Sequence, residues 1–583
     1  MTRLERWLAI CLTGLAIIPI WLVEYPPLQD YPYHLVRAHV LAHYHDPAFD
    51  YDETFVVSAY PAPYVLADWL VAGLGRILSV PLAGKLVLTL YLALFPWSLI
   101  YLARSVGGER GVLGLLGFLL VYNWHFHMGF VSYVLSLPPA LFAMGWWWRY
   151  RRELTARRLA VLAFLVLATY LLHLYAFGVL GFVLVLLALV ERRSAGALAR
   201  TLVAFLPALL LLAGAVARNV ERAEGGQGPL LLLYGNLKRK LLLAAGALPS
   251  FSLAWETALF ALGVGTVLAL AALAWRRRAG PEARPSVPWL AAAGALVVLY
   301  LLLPDHVGRV FFVSNRVPLF VLLLGTVALP APPAGRARAW AASLLALLAV
   351  AHAATLIVRY REIDRRLADY AAALKVLPPD ARVAFRADRA AMAEGRIAPA
   401  ALFGGYHYLE APGRRIPDLE HFVGTLRAVD YRREAGASLS TATIGSREEL
   451  ADLLGRPWLV GPGGLLVVVG REGERVREEA ASFAFEEVMA AGPVTVRRKA
   501  RPVFRREPEG SYFATGYAND GWDHLVTFRD PERQEGAPAG PELERVFRRG
   551  WAAVYRRRPG VGADPLLGVA RPAPEEREGD RQE

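Results

Sequence analysis

The chain has 583 residues, 55% of them hydrophobic and 20% charged, with a formal net charge of +13. Nearly charge-free runs recur from Trp7 to Val358, which excludes an ordinary soluble protein, because lipid is the solvent such runs suit. The basic excess does not predict a nucleic-acid partner: in the first half the arginines gather between apolar runs, where membrane proteins carry topology signals.

Arg3 and Arg6 precede the first apolar run, Trp7 to Val23, which holds the single cysteine, Cys11. The run exits through Glu24-Tyr25-Pro26-Pro27 without a small-residue cleavage site, so an uncleaved anchor is expected. Residues 24–83 form a long loop. Within it Leu35, Val36, Val40 and Leu41 alternate with Arg37, His39 and His43 at helical spacing, predicting a helix that lies in the interface. Pro61-Ala62-Pro63 then starts a second segment, Tyr64 to Leu78, that re-enters the apolar zone. Further spans are expected at 84–103, 111–122, 129–148, 159–171, 176–190, 201–217, 258–275, 287–303, 317–329 and 341–358. Several are short against the roughly 20 residues a crossing needs.

Basic clusters at 149–158, 191–200, 276–284 and 336–338 mark the cytoplasmic side, together with the N-terminus and the 104–110 turn. An odd number of spans then leaves 24–83, 123–128, 218–257 and 304–316 outside an inner (plasma) membrane, along with everything after Arg359. The fold class read here is an α-helical polytopic membrane bundle of about 11 spans with a C-terminal α/β soluble domain. Its parts are 1–358 (transmembrane), 359–571 (extracytoplasmic α/β) and 572–583, a polar tail expected to be disordered. Arg361 to Val376 reads as an amphipathic helix and Glu474 to Ala490 as another. Arg382–Phe385, Trp458–Val460, Leu465–Val469 and Val494–Arg497 read as strands.

The richest stretch is Leu28-Gln29-Asp30-Tyr31-Pro32-Tyr33-His34. An acid just beyond the first span is costly against lipid without a partner or a task. As a general base it could deprotonate an acceptor hydroxyl; alternatively it caps the helix starting near Pro32. His34, four residues on, shares a face with Asp30 if the helix begins there. Asp68, in the re-entrant segment, either faces the same cavity or pairs with Arg76. Trp124, in Asn123-Trp124-His125-Phe126-His127, is a candidate sugar-stacking platform within an aromatic belt. His173 is an ionisable residue in an apolar stretch, at a short outer turn. His39 and His43 have metal-compatible spacing, although without a fixed third ligand an interfacial polar face is the preferred reading.

The loop after the first span resembles the first extracytoplasmic loop of the GT-C glycosyltransferases, membrane enzymes dependent on polyprenyl-phosphate sugars. Asp30 carries the resemblance, with Ala59-Tyr60-Pro61-Ala62-Pro63-Tyr64 and, at the end of the next span, Tyr101-Leu102-Ala103-Arg104. Ser314-Asn315-Arg316-Val317-Pro318-Leu319 is similar to the arginine-bearing start of a late helix in that family. The resemblance implies transfer of a sugar from a polyprenyl-phosphate donor to a glycan, lipid or protein acceptor on the extracytoplasmic face. It implies Asp30 as the catalytic base or acceptor-orienting carboxylate and Arg316 on the lipid phosphate; the helical spacing adds His34 beside Asp30 as a second catalytic candidate. The residues themselves add Arg309, Lys238, Arg239 and Lys240 as further phosphate cations, since outer loops usually avoid such clusters. Anionic head groups of membrane lipids are their other partner. Asp30 is a single acid rather than a pair, which leaves a divalent metal open and no other cofactor expected. Two competing readings are a transporter or flippase for a lipid-linked sugar and a catalytically silent scaffold.

Overall fold

The computed structural model describes residues 1–49, 51–222, 230–277, 284–307, 310, 312–378, 383–388, 394–400, 403–409, 429–431, 465–469, 485–491, 494–499, 512–515, 524–528, 543–550 and 552–557. The 572–583 tail, the strand expected at 458–460 and the candidate Arg309 lie outside them. The first part is almost wholly helical. α1 (Arg3–Trp21) opens with a capping box, in which Thr2 Oγ1 accepts from the Glu5 amide at 3.2 Å and Glu5 accepts from the Thr2 amide at 2.9 Å. α2 (Tyr31–Ala42), the turn α3 (Tyr51–Thr54), strand β1 (Phe55–Val57) and α4 (Val65–Gly75) make up the first loop. α5 (Val80–Val106) follows, packed against α8 (Val131–Tyr150).

Between α5 and α8 the span expected at 111–122 takes another form. Gly108–Leu116 is a 3-10 helix running into the single turn α6 (Gly117–Leu120), with the turn α7 (Trp124–His127) beyond. The cause is a glycine every third residue. In a 3-10 helix residues i and i+3 stack in one line, so Gly111, Gly114 and Gly117 make a flat face that lies on α5. A Cβ on Gly114 would stand 2.6 Å from the Ile100 Cα, and one on Gly117 would stand 3.0 Å from the Pro96 Cα. The segment is core rather than lipid-facing: Val112, Leu113, Leu115 and Leu116 are all buried.

The remaining helices follow the apolar runs: α9 (Ala156–Leu172), α10 (Leu174–Val190), α11 (Ala195–Val203), α12 (Leu206–Arg222), α13 (Leu237–Ala245), α14 (Leu253–Arg277), α15 (Val287–Leu302), α16 (Val317–Ala328) and α17 (Arg336–Lys375). Among the described residues four helices, α1, α5, α14 and α17, are long and apolar enough to cross a membrane, and α11 with α12 would make a fifth span bent by 57°. The span expected at 341–358 and the amphipathic helix expected at 361–376 are one element of 40 residues, about 60 Å long at 1.5 Å per residue. No glycine or proline stands between Arg336 and Lys375 to stop it. At one end of the bundle Arg338 holds α17 to α1 through Glu5 (Nε–Oε1 2.6 Å, Nη2–Oε2 3.0 Å), and it also contacts Glu109.

At the other end the helical part and the chain beyond it are joined by strands. β1 pairs with β5 (Val429–Tyr431). β2 (Leu230–Tyr234) and β3 (His306–Val307) join β6 (Leu465–Val469), β8 (Val494–Lys499) and β7 (Phe485–Ala491) in the order β3-β2-β6-β8-β7. A third sheet runs β11-β12-β10-β4-β9, comprising β4 (Val383–Asp388), β9 (Tyr512–Thr515), β10 (His524–Phe528), β11 (Leu543–Arg549) and β12 (Ala552–Arg557); only β4 and β10 are parallel. The expected strands near 382, 465 and 494 are present. The helix expected over 474–490 is overturned where it is described. Phe485–Ala491 is a strand, because antiparallel pairing with β8, from Phe485↔Lys499 to Ala491↔Val494, outweighs the helical preference of Glu-Glu-Val-Met-Ala. Since β1, β2 and β3 come from loops 24–83, 218–257 and 304–316, those loops and the sheets lie on one side of the bundle.

Candidate functional site

Asp30 stands at the N-cap of α2, yet its side chain makes no capping bond. Backbone contacts fix its place: Gln29 N donates to His127 O at 2.9 Å, and Asp30 N to Met128 O at 3.1 Å. This fit depends on Gly129, whose φ of +76° suits glycine and whose absent side chain leaves room for the amides of Asp30 and Tyr31. The 123–130 turn therefore carries Asp30 on one flank. On its other flank lies Arg316, whose guanidinium sits 5.1 Å from the Phe130 ring centre and 5.7 Å from that of Tyr133.

The backbone of the Arg316 turn, Ser314–Arg316, is held from two sides. Tyr133 Oη donates to Arg316 O at 2.9 Å, and His125 Nε2 bonds Asn315 O at 3.1 Å. Arg316 Nη1 donates to Phe312 O at 2.8 Å. Burial presses the arginine's pKa down, while Tyr64, Tyr133, Tyr175 and Asp30, all within electrostatic reach, act to raise it. Asp30 and Arg316, far apart in the chain, thus flank one turn within electrostatic reach of each other. His173 joins them by packing edge-on against Tyr64 at 4.7 Å and Tyr133 at 5.3 Å. Its Nδ1 accepts from the Tyr175 amide at 3.2 Å, which caps α10 and explains its position in an apolar stretch. Burial, then Arg316, hold the His173 and His125 pKa values low, that of His125 at about 3. Both rings are accordingly neutral. With Nε2 donating to a carbonyl, the His125 Nδ1 carries the lone pair, and it is buried with no hydrogen-bond partner.

His34 and Asp68 form a second group. Arg37 grips Asp68 through both oxygens (Nε–Oδ2 2.9 Å, Nη2–Oδ1 3.2 Å), and its Nη2 lies 2.7 Å from His34 Nδ1. The Arg76 partner expected for Asp68 is not used: Arg76 follows α4 at its exposed end, whereas Arg37 faces the acid across the α2–α4 contact. His34 Nδ1 also lies 3.5 Å from Asp68 Oδ1, so the ring sits against both members of the pair. Asp68 is 2% exposed with both oxygens occupied, an arrangement that holds α4 on α2.

The remaining candidates have other partners. Lys240 uses its three protons on Asp305 Oδ1 (2.9 Å) and the carbonyls of Tyr300 (3.1 Å) and Leu303 (2.6 Å), leaving none for a phosphate. Arg239 pairs with Asp305 Oδ2 at 3.1 Å, while Lys238 is exposed. Trp124 is 4% exposed; Arg396 lies 5.5 Å from its ring centre and Phe312 packs edge-on, so a sugar would have to displace them to stack there. His39 hydrogen-bonds Tyr51 Oη at 3.0 Å. Among the described residues no three His, Cys, Asp or Glu side chains are grouped to hold a metal ion. A small cavity lined by Leu12, Phe118, Tyr122 and His352 lies inside the bundle and contains none of the candidates.

Sequence reasoning missed Arg37, His125, Asp305 and Arg396. For Arg37 a signal existed: it shares a helix face with His34 at i, i+3, opposite an apolar segment carrying one acid. Arg396 had none, since it reaches the 123–130 turn only through tertiary contacts with Gly246 O, Pro249 O and Trp124. No family model matches the chain, and no curated protein matches it.

Proposed function

We propose that the chain is a multi-pass membrane glycosyltransferase of the inner membrane. In this reading about eleven apolar stretches cross or enter the bilayer, the basic loops are cytoplasmic, and the strand-bearing side is extracytoplasmic. It moves a sugar from a polyprenyl-phosphate donor to a glycan, lipid or protein acceptor at that side. Asp30 accepts the proton of the acceptor hydroxyl as the bond to the sugar forms, and Arg316 takes the charge that develops on the departing lipid phosphate.

One observation carries the reading: the 123–130 turn is flanked by Asp30, through its backbone bond to Met128, and by Arg316, a residue from a distant helix start that lies over Phe130. Neutral His125 and His173 add hydrogen-bonding capacity beside Arg316 without competing positive charge. The test is transfer from radiolabelled polyprenyl-phosphate sugars by purified protein. Asp30→Asn should abolish transfer and leave donor binding intact. Donor binding without turnover in the wild type would sink the enzyme reading and favour the silent scaffold, which the internal pairing of Asp68, Lys240 and Trp124 also suits.

A further inference from the structure

α13 turns its charges inward and its leucines outward. Lys240 is 2% exposed, bound to Asp305 and to the carbonyls that end α15, and Arg239 is drawn onto the same acid. The opposite face carries Leu237, Leu241 and Leu242, which are 62%, 61% and 64% exposed, with exposed Lys238 beside them. A helix on a water-facing surface does the reverse. Its depth is set by its neighbours. Lys240 fastens it to the last turn of α15, an apolar helix, and nearby Leu253 and Trp255, at the start of membrane-spanning α14, are 63% and 48% exposed. Tryptophan at that level is characteristic of a membrane–water boundary.

We propose that α13 docks on the lipid surface of the leaflet on the sheet side. Its leucines enter the boundary between head groups and acyl chains, and Lys238 lies among anionic head groups. With nine residues the helix cannot cross a bilayer, and Arg239 and Lys240 are already engaged by Asp305, so lipid is the partner that fits the bare leucine face and the exposed Lys238 beside it. Asp305 also accepts from Ser314 Oγ at 2.5 Å, and Ser314 starts the turn ending at Arg316. The docked helix therefore sets the depth of that turn relative to the lipid surface, independently of what reaction Arg316 serves.

A nitroxide at Leu241→Cys tests this, in full-length protein carrying Cys11→Ser and reconstituted in phosphatidylcholine–phosphatidylglycerol vesicles. Power-saturation EPR should find oxygen collisions dominant at position 241, at a depth of about 5–10 Å, with a label at Lys238→Cys nearer the phosphates. Dominant collisions with a water-soluble nickel chelate at 241 would put the face in water. Shielding from both relaxants would mean that protein covers it. Either result overturns the proposal.

Discussion

Removing the Asp68 carboxylate while keeping Arg37 should destabilise the loop that carries the candidate site. The two side chains are each 3% exposed and meet through two hydrogen bonds of 2.9 and 3.2 Å. Asp68→Ala strands a buried guanidinium with His34 as its neighbour, a loss of about 3–5 kcal/mol. Replacing both, as Arg37→Met with Asp68→Leu, removes the desolvation burden along with the attraction and should cost far less or even stabilise. Acid provides a second axis. Burial raises the Asp68 pKa, but Arg37 and then His34 outweigh it and hold the carboxyl at about 2. That lies below the ordinary aspartate value of about 3.9, so the contribution is fully present above roughly pH 4 and is lost as pH falls through 2. It amounts to about 2–3 kcal/mol. Thermal unfolding in detergent, followed by tryptophan fluorescence at pH 7 and pH 3, measures all three proteins. Equal destabilisation of the single and double variants, or wild-type behaviour of Asp68→Ala, would refute the reasoning.

Three further outcomes are expected. Gly129→Ala, at φ +76° and with its new Cβ 2.6 Å from the Asp30 amide nitrogen, should lose at least about 1–2 kcal/mol. Sugar transfer should fall with it, whereas Gly73→Ala, with nothing within 4 Å, serves as the control in both assays. Burial, then His43, hold the His39 pKa at about 4, so its neutral form contributes stability above about pH 6.5 that is lost as pH falls towards 4, roughly 3 kcal/mol in all. His39→Gln should flatten the acid limb of unfolding temperature against pH, and an unchanged limb would contradict the assignment. Lys240→Met should cost on the order of 3 kcal/mol in detergent unfolding by stripping the buried Asp305 of a cation, while exposed Lys238→Met should stay within about 0.5 kcal/mol.

The helices were legible because periodicity and charge sparseness report directly on lipid. Every expected span coincides with an α-helix except 201–217, which straddles the break between α11 and α12, and 111–122, where the glycine spacing that makes a 3-10 helix was present in the sequence but unread. The strand pairings were not legible. Leu230–Tyr234 is an apolar run like many others here, and only its distant partners make it a strand. Asp30 and Arg316 could be singled out, one by its cost at the boundary and the other by resemblance, but no local feature says that a glycine turn between them unites the two. Asp68 shows the same limit. Its burial could be foreseen, whereas its choice of Arg37 over Arg76 depends on how α2 and α4 face each other.

The shared sheets impose an order on assembly. β2 leaves the ribosome well before β6, its neighbour on one edge, and at 5–20 residues per second the interval is on the order of ten seconds or more. Throughout that interval a five-residue apolar strand waits with its backbone unpaired on that side, open to pairing with another nascent chain. Cleaving the gene at the end of α17 would leave β2 to wait for β6 from a second chain. Synthesis as one polypeptide keeps the partner strand tethered to the one that waits, and a chaperone acting on the strand-bearing side would have a defined interval in which to shield it.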